Sequence, residues 1–484
     1  MQNSQTVEYR SGSKSVDIYE LTSDGERFGA ITWVEWSFQN GDRGMLMRFT
    51  PSESGSYTVT LPIFLASPYT MRHVVYPDGA DLTRSRFSDP ERLDVQQALP
   101  LAAVWLDRAD APTGIPSIAP DLPRPPERRT STDQPVRNPA SAFLSAVEVY
   151  ALRDNGVLEE RRDLSPALAP TEKGLTFTLP VHSGQLVEWW GLFSEAPLID
   201  WDKADPETVE LVRVADFDRA RKWTLDGPRY ITPEGYSPSC PRCFYVNPAQ
   251  HVGEKWIHVN TGGRLFADFA LMALDNAVTT QNDAGYWPIT TRSEWLKRDY
   301  GIDAGYYDTR WSTDAALFLL AGFKAFGDDV FLQAARRYAD FLVDFAARHH
   351  FATPSGGTLV YDYGHPDAPQ AKTHTSLNHL LTEMNFLYRI AERTGEPRYR
   401  AAAERMLKAI EDTVDGWPNA DGDLHYAYLV DGQFGLQDYP LLTLKDLRLA
   451  QSVLASVHGA PNAAIQKLID VKTAYLKAHH LPLY

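Results

Sequence analysis

The sequence predicts an α+β protein with two parts, an N-terminal antiparallel β-sandwich followed by an (α/α) toroid. Three observations support this prediction. Apolar and polar residues alternate up to about residue 204, the apolar period becomes helical from about residue 205, and a helix-pair pattern repeats at an offset of 68 residues. A chain of 484 residues also exceeds what one hydrophobic core usually holds, so two domains are expected, residues 1–204 and 205–484.

The first part is predicted to consist of strands. Alternation, together with β-branched and aromatic residues, marks "SVDIYELT", "AITWVEWSF", "SYTVTLPIFL", "AVEVYAL" and "QLVEWWGLF". The turn sequences "NGDRG" and "SESG" separate some of them. Many short strands of this kind are typical of a sandwich. Prolines are dense over residues 112–139, so this segment is predicted to be a long loop.

Helical periodicity begins with "PETVELVRVADFDRARKW" and "GRLFADFALMALDNAV". "STDAALFLLAGFKAF" is apolar on all sides and is predicted to be a buried helix, whereas the following "DVFLQAARRYADFLVDFAARHH" is amphipathic. "SLNHLLTEMNFLYRIA" and "EPRYRAAAERMLKAIEDT" repeat this order, and Gly327 and Phe331 align with Gly395 and Tyr399. "LTLKDLRLAQSVLASV" and "APNAAIQKLIDVKTAYLKA" predict one more pair. Inner buried helices within outer amphipathic ones predict the toroid.

Composition narrows the range of partners and locations. The formal net charge of −16 makes nucleic acid an unfavourable partner. No segment reaches the ~18 apolar residues of a membrane helix, so no membrane span is expected. The N-terminus lacks the pattern of a signal peptide, which favours the cytoplasm, with secretion as the alternative if a signal has been removed.

The two cysteines, Cys240 and Cys243, form a Cys-x-x-Cys motif. With His251 and His258 they could supply four zinc ligands, but the spacing does not match a standard zinc motif. Two free thiols or a disulfide are the favoured alternatives. No metal site and no organic cofactor are therefore expected.

Polar side chains in the otherwise apolar helix after Thr373 suggest a cleft. Burying such groups without partners is costly, so we expect His374, Asn378 and Glu383 to line a cavity at one mouth of the toroid. The connections between helices carry many aromatic residues, whose faces stack on sugar rings. The remaining candidate substrate-binding residues are Trp287, Tyr307, Arg310, Trp311 and Tyr428.

Residues 280–455 resemble the C-terminal domain of the D-glucuronyl C5-epimerases. "DAGYWPI" is similar to the Gly-Gly-Trp-Pro segment of that family, and "YGHPDAPQAKTHTSLNHLLTEMNFLY" is similar to its Glu-Glu-Tyr-Pro and Leu-Asn-Gly block. "LHYAYL" and "QDYPLLTLKDL" stand where the family has its Tyr-Asp-Leu and Tyr-His-x-x-His segments. The resemblance implies a β-rich region joined to an (α/α) barrel, and a substrate that is an oligo- or polysaccharide containing uronate.

The resemblance also implies catalytic residues. Two tyrosines of the family's motifs fall on Tyr426 and Tyr439, and the third position holds His365, with Tyr363 two residues before it. The motif asparagine falls on Asn378. The family also makes a homodimer and a structural calcium in the β-rich region conceivable, although no acidic loop of calcium-binding spacing is present.

The implied reaction is abstraction of the C5 proton of a uronate. His365 would suit the base, because an unperturbed histidine titrates near neutral pH, and Tyr426 or Tyr439 would be the acid. Arg310 or Lys372 would bind the carboxylate of the sugar. Three alternatives stay open: a uronate lyase, a glycoside hydrolase using a carboxylate pair from Glu383, Asp308, Asp314 and Asp362, and a glycan-binding protein without catalysis.

Overall fold

The computed structural model describes residues 2–23, 26–66, 68–75, 86–94, 97–110, 135–206, 221–258 and 264–483. The chain is a mixed α and β protein that forms two compact units. The first unit comprises Met1–Asn247, Val252–Asn276 and Lys324–Asp328. The second comprises Pro248–His251, Ala277–Phe323 and Asp329–Tyr484.

The first unit is built mainly from strands, because its apolar residues alternate and its turns are rich in Gly, Asn, Asp and Ser. The strands are β1 (Gln2–Tyr9), β2 (Gly12–Ser23), β3 (Glu26–Phe38), β4 (Arg43–Pro51), β5 (Gly55–Leu61), β6 (Ile63–Phe64), β7 (Tyr69–Val75), β8 (Arg86–Phe87), β9 (Glu91–Leu93), β10 (Val104–Arg108), β11 (Val136–Arg137), β12 (Ser141–Leu144), β13 (Glu148–Leu152), β14 (Leu158–Glu160), β15 (Ala169–Thr171), β16 (Gly174–Val181), β17 (Gln185–Ser194), β18 (Arg221–Thr224), β19 (Gly227–Ile231), β20 (Tyr236–Ser237) and β21 (Cys243–Val246).

Most of these strands form one large antiparallel sheet, whose main path runs β1-β2-β3-β4-β17-β13-β14-β21-β19-β18. A smaller antiparallel sheet runs β15-β16-β5. Side chains of both sheets meet in one apolar cluster, in which Phe177 and Leu179 of β16 join Met47 of β4 and Trp189 of β17. This cluster is the core of the first unit, and the assignment of the unit as a sandwich stays a prediction.

The start of the second predicted domain needs a correction. The predicted helix at "PETVELVRVADFDRARKW" lies mostly in residues 207–220, outside the described residues, but its end forms strand β18 instead. Trp223 in this strand is buried against Trp190 and Trp256, which explains why this segment joins the sheet. The first unit thus continues past residue 205. Residues 112–134 of the predicted proline-rich loop also lie outside the described residues.

Cys240 and Cys243 form a disulfide in this structure, with an S–S distance of 2.11 Å. Of the alternatives left open by the sequence, the structure has the bonded one. The disulfide closes the short turn that leads into β21.

Most helices fall where the 3.6-residue period predicts them, but the first and third, His251–His258 and Glu294–Tyr300, were not predicted. The helices are α1 (His251–His258), α2 (Leu265–Thr279), α3 (Glu294–Tyr300), α4 (Thr309–Phe326), α5 (Asp329–Arg348), α6 (Leu377–Thr394), α7 (Pro397–Thr413), α8 (Leu442–His458) and α9 (Ala463–Ala478). The connections of the second unit add short strands, β22 (Arg292–Ser293), β23 (Tyr307–Asp308), β24 (His350–Ala352), β25 (Thr358–Val360), β26 (Tyr363–Gly364), β27 (Thr375–Ser376), β28 (His425–Tyr428) and β29 (Phe434–Gln437). None of the helices in the described ranges is both long and apolar enough to cross a membrane.

Helices α4 and α6 are parallel neighbours, as predicted for two inner helices. Near their starts, the hydroxyl of Thr309 lies 2.8 Å from Nδ1 of His379. Near their ends, the guanidinium of Arg393 lies 5.6 Å from the ring centre of Phe323. Contacts at both ends in the same order require the two helices to run side by side in the same direction.

Helix α8 begins at the same end, because Arg310 of α4 bonds Asp446 of α8 at 2.6 Å. Helices α5, α7 and α9 pack outside with their polar faces exposed, and Arg398 of α7 bonds Asp340 of α5 at 2.6 Å. Helix α6 is the most buried of the inner helices, since every residue from Leu377 to Tyr388 is buried. The predicted alternation of a more buried helix with an amphipathic one is seen in α4–α7.

We expect Leu381→Ala to lower the free energy of unfolding by about 2–5 kcal/mol, because Leu381 is fully buried in α6 and the truncation leaves a cavity. Lys408→Ala on the exposed face of α7 is the control, with an expected change within about 0.5 kcal/mol. Urea denaturation of both variants measures the difference. A loss below about 1 kcal/mol for Leu381→Ala would contradict the inner position of α6.

Candidate functional site

The polar residues singled out by the sequence meet where α4, α6 and α8 begin. Short strand pairs hold the loops at this end: β23 pairs with β26, which sets Asp308 opposite Tyr363, and β27 pairs with β28, which sets Ser376 opposite Ala427. These strand pairs place Asp308, which precedes α4, and Ser376, which precedes α6, beside another loop of the second unit. The site therefore depends on backbone pairing between segments far apart in the sequence.

Asp362 lies at the centre of this end of the second unit. Its side chain is 0% exposed, and its Oδ1 accepts a 2.8 Å hydrogen bond from the backbone N–H of Ser376. Its Oδ2 lies 3.3 Å from Nε2 of His374 and 3.7 Å from Nδ1 of His379. Burial by itself raises the pKa of Asp362, but the two histidines and the Ser376 bond outweigh it and hold the pKa below its ordinary value. Asp362 is therefore a carboxylate at neutral pH.

The two histidines differ in their other contacts. Nδ1 of His374 lies 2.8 Å from the hydroxyl of Tyr300, and its ring is only 2% exposed. Nδ1 of His379 lies 2.8 Å from the hydroxyl of Thr309. Burial lowers the pKa of His379 to about 4, so this ring is neutral at working pH. His379 was not predicted as a site residue.

Tyrosine and tryptophan rings surround His374. The ring centres of Tyr363 and Tyr426 lie 5.8 Å and 5.7 Å from that of His374, and Tyr439 lies 5.5 Å from Tyr426. Tyr439 is 50% exposed, whereas His374 is enclosed. The cluster thus leads from a solvent-facing tyrosine down to a buried histidine and carboxylate.

Two further acids lie in the same electrostatic environment. Burial, with smaller contributions from Asp362 and Asp314, raises the pKa of Asp308 to about 7, although Oδ1 of Asp308 accepts a bond from the backbone N–H of Trp311. Burial also raises the pKa of Glu383 well above its ordinary value. Asp362 is ionised at neutral pH, whereas Asp308, with a pKa of about 7, is present there in both its protonated and ionised forms. Neighbouring carboxyl groups with opposite pKa shifts are an arrangement in which one group can donate and the other can accept a proton.

The tyrosines of the cluster favour the protonated form. Burial, followed by the charge of Asp362, raises the pKa of Tyr426 well above 10. Burial and the charge of Asp308 also raise the pKa of Tyr439. Both hydroxyls are therefore proton donors at neutral pH.

The hydrogen bonds of His365 do not suit it to act as a base. Its Nδ1 accepts a bond from the backbone N–H of Asp367, and its Nε2 lies 3.0 Å from the carbonyl oxygen of Ala304. Both ring nitrogens are engaged with backbone groups, so His365 has no free lone pair. The histidine that lies beside Asp362, Tyr363 and Tyr426 is His374.

The other predicted residues divide between rim and packing positions. Trp311 is partly exposed and packs in one cluster with Tyr363 and Tyr300. Trp287 instead donates its indole N–H to the carbonyl of Ala277, and Tyr307 lies 2.9 Å from the hydroxyl of Tyr338. These last two side chains are buried and stabilise the helices.

Arg310 and Asn378 tie the inner helices together. Arg310 bonds Asp314 at 2.9 Å, Asp446 at 2.6 Å and the carbonyl of Asn378 at 3.3 Å. Its charge is shared by two carboxylates, which weakens the prediction that it binds a substrate carboxylate. Among the described residues, Oδ1 of Asn378 has no hydrogen-bond partner.

Tyr428 packs edge-on against Phe351 and against Phe434, its partner across the β28–β29 hairpin. Within the described part of the chain, no group of three or more His, Cys, Asp and Glu side chains is arranged to hold a metal ion.

Comparison with known proteins gives only distant likenesses. No protein-family model matches the chain, and no curated protein matches it. Among solved structures, a D-mannose isomerase matches with a TM-score of 0.36 and 14% identity over 47% of this chain and 58% of that one. Cellobiose 2-epimerase from Spirochaeta thermophila DSM 6192 matches with a TM-score of 0.38 and 16% identity, over 53% of this chain and 64% of that one.

A family 76 glycoside hydrolase from a bovine Bacteroides thetaiotaomicron strain matches with a TM-score of 0.37 and 9% identity over 89% of this chain and 74% of that one. The chain spans less than two thirds of the isomerase and of the epimerase. These three proteins act on carbohydrates by different reactions, and at such low similarity they do not assign a family or a reaction to this chain. The resemblance to the glucuronyl C5-epimerases stays a prediction.

The raised pKa of Asp308 predicts a specific pH dependence of stability. Because the folded-state pKa of about 7 exceeds the ordinary value of 3.8, the stabilising effect of Asp308 is complete below pH 4 and is lost as the pH rises through 7. Asp308→Asn keeps an oxygen for the Trp311 bond and removes the titration. We expect the free energy of unfolding of the variant to rise relative to that of the wild type as the pH increases, by on the order of 4 kcal/mol at most. Urea unfolding between pH 4 and 8 measures this gain, and parallel curves would contradict the shifted pKa.

Proposed function

We propose that the protein is a carbohydrate-active enzyme that acts on a uronate-containing glycan by abstracting the C5 proton. The observation that carries the proposal is the contact of buried His374 and Asp362 with a set of tyrosines that leads to the surface. The C5 hydrogen of a uronate is acidic because the adjacent carboxylate can take up the charge. Its removal needs a base on one face of the ring and, for inversion, a proton donor on the other.

The side chains around His374 can divide these tasks. His374, paired with the ionised Asp362, supplies the basic group that the sequence analysis assigned to His365. Tyr426 and Tyr439 keep their protons and suit the acid. Protonated Asp308, with a pKa of about 7, can donate a hydrogen bond to the carboxylate of the sugar, a task for which Arg310 is poorly placed.

The proposed fold of the catalytic part is an (α/α) toroid. The parallel inner helices α4 and α6, with α8 beginning at the same end and α5, α7 and α9 outside, support it. In such a fold, loops at the starts of inner helices face one mouth, which agrees with the location of Asp362. The partly exposed rings of Trp295, Trp311 and Tyr439 would then contact sugar rings of an oligo- or polysaccharide.

Glycoside hydrolysis is the second candidate, and the opposite pKa shifts of Asp308 and Asp362 favour it. A protonated Asp308 could protonate the leaving oxygen while ionised Asp362 acts through His374 on a water. A lyase would use the same proton abstraction as an epimerase and expel the O4 substituent. These reactions leave different products, so one incubation distinguishes them.

Incubation of the protein with unsulfated glucuronan chains in D2O is expected to place deuterium at C5, which NMR of the recovered chains measures. An unsaturated product that absorbs in the ultraviolet would identify a lyase. New reducing ends without unsaturation would identify a hydrolase and refute C5 chemistry as the main reaction. Unchanged chains would refute the proposed enzyme activity.

We expect Tyr426→Phe and Tyr439→Phe each to lower the rate of C5 exchange by about 10²-fold or more if the corresponding hydroxyl transfers a proton, the usual size of acid–base catalysis. Tyr475→Phe on outer helix α9 is the matched control, with an unchanged rate expected. Circular dichroism shows whether each variant is folded. Wild-type rates in both site variants would remove the tyrosines from the mechanism.

A further inference from the structure

The burial of His374 raises the question of how a substrate proton could reach it. Its ring is 2% exposed and is covered by Trp295, Tyr300, Tyr363 and Tyr426, whose ring centres lie 5.7–5.9 Å away. A sugar carbon cannot approach either ring nitrogen without displacing these side chains. A group that contacts both His374 and the outside is therefore required.

Tyr300 is such a group. Its hydroxyl lies 2.8 Å from Nδ1 of His374, and its side chain is partly exposed. On the far side of the imidazole, Nε2 lies 3.3 Å from Oδ2 of Asp362. The negative charge of Asp362 beside Nε2 favours the tautomer that carries its hydrogen on Nε2, and in that tautomer Nδ1 accepts the hydroxyl of Tyr300.

The local sequence fixes Tyr300 in this position. It is the last residue of α3, a helix capped at its start by Ser293 and ended by Gly301 at φ 72°, a left-handed conformation that glycine adopts without strain. Asp303 just beyond it bonds Arg292 at 2.9 Å and Lys297 at 2.8 Å. Trp295 packs edge-on against the ring of Tyr300. The tyrosine is thus held in place by its own helix and loop.

We infer that Tyr300 is the catalytic residue that takes the C5 proton, with His374 and Asp362 accepting and stabilising the proton that it gives up. The inference rests on the proposed function. The C5–H bond breaks and its proton forms an O–H bond on the Tyr300 oxygen, while the phenolic proton moves to Nδ1 of His374. The electron pair passes into the carboxylate of the sugar, and the imidazolium is paired with Asp362. Return of a proton to C5 reverses the relay or comes from the opposite face.

The charged and titratable groups around the relay are compatible with this direction of transfer. Asp362 and Asp299 act on Tyr300 and, after burial, raise its pKa, so the resting hydroxyl is protonated. His379, the second ring beside Asp362, is neutral at working pH. The resting relay therefore starts with a protonated hydroxyl on Tyr300, 2.8 Å from Nδ1 of His374.

The chain offers a matched control for a merely structural hydrogen bond. Tyr388, near the end of α6, lies 3.4 Å from Nε2 of His458 in α8. Tyr388→Phe removes a tyrosine–histidine contact of the same kind away from the proposed site. Both it and Tyr300→Phe remove one oxygen from a half-buried to buried ring, so their effects on stability should be similar.

Deuterium exchange at C5 of glucuronan chains in D2O tests the inference together with nitrogen NMR of histidine-labelled protein. Tyr300→Phe is expected to lower the exchange rate by about 10²-fold or more with KM changed less than about 3-fold, and Tyr388→Phe to leave it unchanged. In the wild type, the Nδ1 signal of His374, assigned with His374→Asn, should be that of an unprotonated acceptor and should shift in Tyr300→Phe.

Exchange within about 3-fold of the wild type in Tyr300→Phe would overturn the role of Tyr300 while leaving the proposed function standing. A protonated Nδ1 in the resting wild type would overturn the relay, since the hydroxyl could not then donate to it. A wild-type protein that exchanges no C5 hydrogen would refute the proposed function itself, and the inference with it.

Discussion

The burial of the Asp362 carboxylate is the constraint on which the rest of the site depends. An ionised carboxylate without solvent is costly unless its oxygens are paired, and here one oxygen has the Ser376 N–H and the other faces His374 and His379. Ser376 is the N-cap residue of α6, so the hydrogen bond to Asp362 also fixes the start of the most buried helix. The contact with Asp362 also fixes the ring of His374 beside Tyr300, so the stability of this end of the second unit and its proposed chemistry depend on the same polar contacts.

The arrangement explains why a helix as buried as α6 carries several polar groups. His379 of α6 bonds Thr309 of α4, and the carbonyl of Asn378 accepts a hydrogen bond from Arg310. These polar contacts join the two inner helices near their starts. Arg310 extends the same network to α8 through Asp446. Asp308 and Glu383 have raised pKa values, whereas the neighbouring Asp362 has a lowered one. Burial raises the pKa of all three acids, but of the three only Asp362 also lies against two histidines.

Periodicity predicted the helical half well, because α4–α9 owe their positions to local apolar patterns that the sequence displays directly. It failed where distant contacts decide the structure. Trp223 packs against two other tryptophans, and its segment Arg221–Thr224 is a strand where the apolar period predicted a helix. His365 falls on the position of the third motif tyrosine, yet its ring nitrogens bond to backbone groups of Ala304 and Asp367. Tyr300 ends a short helix without any motif, and only the fold brings it to a histidine 74 residues away.

The exchange rate of Asp362→Asn tests the central claim most directly. Asparagine can still accept the Ser376 bond through its oxygen, but its amide donates toward His374 and requires the proton of the ring on Nδ1, the wrong side for Tyr300. The variant is therefore predicted to fold, as judged by circular dichroism and urea unfolding, and to lose C5 exchange of glucuronan in D2O by about 10²-fold or more. A folded Asp362→Asn protein that exchanges C5 hydrogen at the wild-type rate would contradict the account.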